Sequence, residues 1–255
     1  MKTAFLAVFM ISITCIVCSC KKDVSNEGSN YLLRLKFVPK ANGENLVQAK
    51  SYLNPLGEDF SVTNFKIFVG NISLLQDGVV KVAKKENEYF LLDAFNPSTL
   101  TIATPLNGNR FTDIGFQIGI DSIFNVSGAQ TGALDPATGM FWTWNTGYIM
   151  AKLEGNSSYS SEINDAIVYH IGGFKSGENA IRQVVLQLPG QQSWTLEKTS
   201  TTEVTIEMNL DKWFSADHNL FIGAQSAVMT PGALSLQYAD NYAKMFTPLS
   251  IQRTE

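Results

Sequence analysis

The sequence predicts an all-β fold: a single antiparallel β-sandwich-like domain with one short helix near the C-terminal third. Three observations predict it. After residue 30, apolar residues alternate with polar ones at period two almost everywhere, the pattern of strands with one face buried. Turn-forming pairs separate these runs at short intervals, and helical character is confined to a short stretch near Asp211-Lys212-Trp213-Phe214.

The strands follow in order. "YLLRLKFV" (31–38), "VTNFKIFVGNISLL" (62–75), "DIGFQIGI" (113–120), "GYIMAKLEG" (147–155), "AIVYHIGGF" (166–174), "RQVVLQL" (182–188) and "TEVTIEMNL" (202–210) are rich in the β-branched and aromatic residues that pack well on a pleated surface. Gln76-Asp77-Gly78 between "SLL" and "VVKV" signals a type I′ hairpin, because Asp and Gly both tolerate positive φ. Pro189-Gly190 and Pro231-Gly232 mark further turns. The segment 121–139, "DSIFNVSGAQTGALDPATG", reads as a long loop, and long ordered loops in compact domains are more often functional than connecting.

The chain's beginning has a different character. Lys2, an apolar run from Ala4 to Val17 and then Val17-Cys18-Ser19-Cys20 form a stretch too short to anchor as a stable span and suited to an export signal. A small residue directly before Cys20 resembles a bacterial lipobox. The expected organisation is a signal peptide over 1–19, a lipidated Cys20 with a polar tether to residue 30, and one β domain over 31–255. The chain would then be held in the cell envelope by its lipid, most naturally at the outer membrane, on its periplasmic or surface face.

Composition excludes several functions. All three cysteines (Cys15, Cys18, Cys20) lie at this end, so the domain has no disulfides and relies on a core drawn from a 45% apolar composition. Loss of Lys2 with the signal takes the net charge from −4 to about −5. Lys and Arg are scattered and never alternate with aromatics, so no nucleic-acid surface is expected. There is no Gly-x-Ser-x-Gly elbow, no HExxH, no cysteine pair and no glycine-rich phosphate loop. A hydrolase, zinc or nucleotide site lacks its parts, and the chain is expected not to be an enzyme. Asp113, Asp121 and Asp135 lack the close spacing of a calcium loop.

The chemistry-bearing residues that remain are few. In "GMFWTWNTGYIMAKLEG" (139–155) Met140, Trp142 and Trp144 occupy alternate positions, so an extended backbone points all three the same way. That face is either packed core or a soft site. The two histidines are His170, in "DAIVYHIGG" on a strand with apolar residues on both faces, and His218, in a loop after the short helix. A lone strand histidine is most often a satisfied core residue. Imidazole and thioether together suit Cu(I) better than hard cations.

"MFWTWNTGYIMAKLEG" followed by "YHIGG" resembles the MbnP-like family, similar to the copper-binding proteins encoded beside the methanobactin copper-scavenging system and common among Bacteroidetes lipoproteins. "VTNFKIFVGNISLLQDG", "YFLLDAF" and "FTDIGFQIGIDSIFN...LDPATGM" agree in order, so the resemblance runs from about Tyr31 to the C-terminus. It implies an exported all-β copper-binding or copper-handling protein. It also implies a di-haem partner related to cytochrome c peroxidases that oxidises a Trp to kynurenine. Carried over by position, Trp142 and Trp144 are the candidates for oxidation and His170 the candidate copper ligand, with Met140 as a soft donor nearby. Relatives tend to carry a histidine in the first strand region, where this chain has Lys36, Phe37 and Val38, so a two-histidine site would have to bring His218 to His170. The alternative is a lipoprotein of purely structural or interaction type that uses the 121–139 loop as a contact surface.

Overall fold

The computed structural model describes residues 31–254 apart from 84–86, 107–109, 129, 143–146, 192 and 199. Cys20, the signal and the tether lie outside the described residues, and so does Trp144.

In chain order the strands are β1 (Leu32–Ala41), β2 (Glu44–Asn45), β3 (Ser51–Leu53), β4 (Asp59–Gln76), β5 (Val79–Ala83), β6 (Tyr89–Asp93), β7 (Thr101–Pro105) and β8 (Arg110–Phe111). They continue with β9 (Asp113–Ile118), β10 (Ile149–Asn156), β11 (Ala166–Gly172), β12 (Arg182–Gln187), β13 (Trp194–Thr195), β14 (Thr201–Asn209), β15 (Ala227–Val228) and β16 (Phe246–Thr254). Among the described residues three α-helical pieces join them: α1 (Ser122–Val126), α2 (Asp211–Phe214) and α3 (Ala233–Ala243). One sheet runs β16-β14-β1-β2 with β7 also on β1, and the larger runs β12-β9-β4-β10-β11-β15 with β3, β5 and β6 also on β4.

The expected strands are all present, yet the sheets are mixed. β1 pairs with β14 in parallel, Leu32 opposite Thr201 through Lys40 opposite Asn209, and β11 pairs with β15 in parallel. The antiparallel-only expectation is corrected here: parallel neighbours need long crossovers, and more than 150 residues of chain separate β1 from β14. A second correction concerns helix. The expected short element is α2, but the longer α3 was not foreseen. Its buried residues Ser235, Tyr238, Ala239 and Tyr242 recur at helical spacing, on a stretch whose overall apolarity is too weak to announce it.

The two sheets close on a shared aromatic core. Phe37 of β1, Phe116 of β9 and Phe246 of β16 meet edge to face, with ring centroids 5.1–6.1 Å apart. These T-shaped contacts place the positive edge of one ring on the negative face of the next. Farther along, Trp213 of α2 packs on Phe65 of β4 at 5.9 Å and on Tyr238 of α3 at 5.5 Å. The large sheet is covered on both faces. One face meets the small sheet and the two C-terminal helices; the other meets Thr138, Gly139 and Trp142 of the long loop and its continuation.

The hairpin expected at Gln76-Asp77-Gly78 is formed. Asp77 has φ of 53° and Gly78 of 75°, the paired positive values of a type I′ turn, with Gln76 opposite Val79.

Candidate functional site

The register of the large sheet assembles a polar row on the face under the long loop. Asp93 of β6 stands opposite Lys66 of β4, Lys66 opposite Lys152 of β10, and Lys152 opposite His170 of β11. One step along, Glu154 faces Asn64. Directly opposed residues share a face, so these six side chains all point toward the loop.

His170 is 9% exposed, and its Nε2 lies 2.6 Å from Glu154 Oε1. The contact is diagonal, since Glu154 sits directly opposite Val168. The other carboxylate oxygen accepts from Asn64 Nδ2 at 2.8 Å, and Lys152 Nζ stands 3.8 Å from Oε1. The bond from His170 first, and then Asn64 and the Lys152 charge, hold the Glu154 carboxyl down to about 2 against the opposing effect of burial. Burial, with Lys66 nearby, lowers the Lys152 ammonium in turn, and Glu154 opposes this.

Two lysines of the row also grip the loop. Lys152 Nζ donates to Gly139 O at 2.7 Å and Lys66 Nζ to Thr138 O at 3.4 Å. They hold the end of a 3-10 turn, Pro136–Thr138, that Asp135 caps through its side chain and Gly139 ends at φ 73°. The next residues form a narrow ladder: Ile149 N donates to Met140 O, Phe141 bridges Tyr148, and Trp142 N donates to Gly147 O. Met140 therefore stands beside Ile149, which in turn stands opposite Gly172.

Gly172 is the seat of Trp142. A Cβ placed there would lie 2.6 Å from Trp142 Cη2 and 2.8 Å from Cζ3, so the indole rests on the bare backbone of β11. Gly172 is two residues from His170 on the same strand face. Trp142 and His170 thus lie on the same side of the sheet, and Met140 joins them through its backbone bond to Ile149. Met140 is fully buried and Trp142 is 4% exposed.

The loop itself is ordered from within. Asn125, 2% exposed, donates to Ile120 O and Asp121 O and accepts from Tyr148 N at 2.7 Å. Tyr148 OH donates to Leu134 O at 2.7 Å. The acids once weighed for calcium work separately: Asp121 accepts from Tyr89 OH and Gln117, Asp135 caps its turn, and Asp113 accepts from Thr112. Next to Lys66 the face opens into a cleft of about 570 Å³, walled by Tyr89, Leu91, Asp93, Ala133 and Thr138.

His218 is elsewhere. Its Nε2 is 3.1 Å from Asp240 Oδ2 on α3, and Asp240 also takes Arg182 at 2.8 Å. Helix α3 lies on the Tyr169 side of β11, where Tyr169 and Tyr238 are 4.9 Å apart. Tyr169 and His170 point to opposite faces of that strand. The sheet stands between the two histidines, and the pair considered for a two-histidine site is not brought together. Sequence reasoning missed Glu154 and Asn64; the only signal was that Lys152 and Glu154 alternate onto one face in "AKLEG".

Among the described residues no group of three or more His, Cys, Asp or Glu is gathered as for a metal ion. The donor this face offers is one imidazole nitrogen, His170 Nδ1, which makes no hydrogen bond among the described residues; the Met140 thioether is fully buried in the adjoining ladder. In softness an imidazole and a thioether would suit Cu(I) rather than Zn²⁺ or a hard cation.

No curated protein matches the sequence. Among solved structures the fold is similar to MbnP from Methylosinus trichosporium, with a TM-score of 0.51, 12% identity, and coverage of 88% of this chain and 99% of that one. The sequence model of the MbnP family matches residues 30–230. With its Met/Trp stretch, its "YHIGG" strand and this match over most of its length, the chain belongs to the MbnP family.

Proposed function

We propose that this is a copper-handling protein of the cell envelope, without catalytic activity of its own, whose site is the Met140, Trp142 and His170 face of the large sheet. Family membership supports the association with copper. The observation that carries the reading is the state of His170: Nε2 is committed to Glu154, Nδ1 has no hydrogen bond among the described residues, and Trp142 rests on Gly172 two residues along the same strand. Cu(I) would be held by His170 Nδ1 with Met140 as the soft partner, and His218 takes no part. Trp142 or Trp144 would be the residue oxidised to kynurenine by a di-haem partner of the cytochrome c peroxidase type, which supplies the redox chemistry. Lipidation at Cys20 would hold the domain at the outer membrane.

The test is a Cu(I) titration of the purified protein against a chromophoric competitor, wild type beside His170→Ala. Binding of one equivalent that the substitution abolishes is the expected result. A wild type that cannot compete, before and after treatment with the haem partner, would sink the reading.

One observation favours a second reading. In α1, Ile123 is 63% exposed and Val126 65% exposed, although the helix is firmly tied to the Trp hairpin through Asn125. Apolar side chains held outward on an ordered loop suit a protein contact surface. If copper fails to bind, pull-down with and without Ile123→Asp and Val126→Asp is the next measurement.

A further inference from the structure

We infer that Glu154 is the positioning residue of the site: its carboxylate holds the His170 ring by Nε2, fixes which nitrogen of the neutral ring carries the proton, and so leaves the lone pair on Nδ1. This deepens the copper reading and rests on it for the identity of the ligand, but not for the state of the ring.

The inference follows from what each atom is able to do. An ionised carboxylate has no proton to give, so every hydrogen bond it makes is accepted. At 2.6 Å from Glu154 Oε1, His170 Nε2 must therefore be the donor. In the neutral ring only one nitrogen holds a proton, and the lone pair that a soft metal needs is then on Nδ1.

Glu154 is itself held from three directions. Asn64 Nδ2 fixes Oε2 at 2.8 Å, the Lys152 ammonium stands 3.8 Å from Oε1, and Thr63 Oγ1 donates to the Glu154 backbone carbonyl. Neighbours on two strands thus orient the carboxylate before any ligand arrives. A carboxylate behind a histidine in this way orients the ring and raises its basicity toward a metal.

The placement also accounts for the polar row. Lys152 touches both Glu154 and Gly139 O, the carbonyl just before Met140. The group that sets the His170 tautomer and the segment that delivers Met140 and Trp142 are thereby tied to a single side chain.

Two measurements on the purified protein test the assignment. Nitrogen-15 NMR of the histidine rings reads the tautomer directly, in wild type, Glu154→Gln and Glu154→Ala, with thermal melts confirming that each variant is folded. The expected result is Nε2–H in the wild type and a mixture in both variants, because a glutamine amide is free to turn and donate to Nε2 and an alanine leaves Nε2–H without its acceptor. Cu(I) competition should then show a 10- to 100-fold weaker complex for Glu154→Gln, and none for His170→Ala.

An Nδ1–H ring in the wild type, or an Nε2–H ring that persists in Glu154→Ala, overturns the positioning role whatever copper does. If the tautomer responds as expected but His170→Ala leaves copper affinity unchanged, the copper reading fails and Glu154's control of the ring stands.

Discussion

The indole of Trp142 rests directly on Gly172, closely enough that a methyl group added to the glycine would overlap Cη2 and Cζ3. This contact joins the two motifs that stand out in the sequence, the Met/Trp stretch and "YHIGG". It explains why the strand carries a glycine two positions after His170: any side chain there would lift the ring off the sheet. Tyr148 O, 2.7 Å from the same hypothetical Cβ, closes the space from the other side.

Gly172→Ala is therefore expected to cost about 1–3 kcal/mol, the usual penalty of overpacking, and to change the Trp fluorescence. The same substitution made in a Trp142→Ala background should cost measurably less. A double-mutant cycle by chemical denaturation isolates that coupling. Equal costs in both backgrounds would mean that the clash with Tyr148 O, not Trp142, governs the site.

The Glu154 carboxyl carries a pH signature. It is held at about 2 in the folded protein against an ordinary 4.5, principally by the bond from His170. Since the folded value is the lower one, the stabilisation is complete above pH 4.5 and is lost as the pH falls toward 2. With 31% of the side chain exposed, screening trims the contribution to on the order of 2 kcal/mol. Glu154→Gln should flatten the acid limb of the stability profile between those values and leave the limb above pH 5 parallel to wild type.

Much of this was legible in advance because period-two alternation records which side of a strand is buried. The strand bearing His170 followed from it. Register was not legible: nothing in "AKLEG" states that Glu154 reaches diagonally to His170, sixteen residues on, or that Asn64, ninety residues back, lies across from it. The parallel pairing of β1 with β14 was hidden for the same reason. The side of the sheet on which His218 falls depended on α3, whose apolar stripe is interrupted by Ser235 and Asn241, both buried through hydrogen bonds rather than through apolar contact.

Lys152 should behave as a hook for the long loop. Its side chain is 12% exposed and donates to Gly139 O at 2.7 Å. Charged hydrogen bonds of this kind contribute about 1.5–3 kcal/mol. Lys152→Met keeps the aliphatic stem and removes the hook, so the expected outcome is a loss in that range with amide exchange accelerated over residues 132–142. Exchange that rises uniformly through the sheet instead would mean that the lysine supports the strand rather than the loop.

The two histidines should separate cleanly in experiment. His218 sits in a partly exposed cluster with Asp240 and Arg182, on the helix side of the large sheet. Exposed ion pairs contribute about 1 kcal/mol or less, so His218→Ala is expected to shift the denaturation midpoint only slightly. Because the sheet lies between His218 and the Trp142 face, the substitution should leave Cu(I) affinity and the His170 tautomer as in wild type, while His170→Ala changes the first and removes the second. A loss of copper affinity in His218→Ala would require the C-terminal helix to reach the other face of the sheet. That outcome would overturn the arrangement of the two histidines described above, and with it the assignment of His170 as the sole imidazole donor.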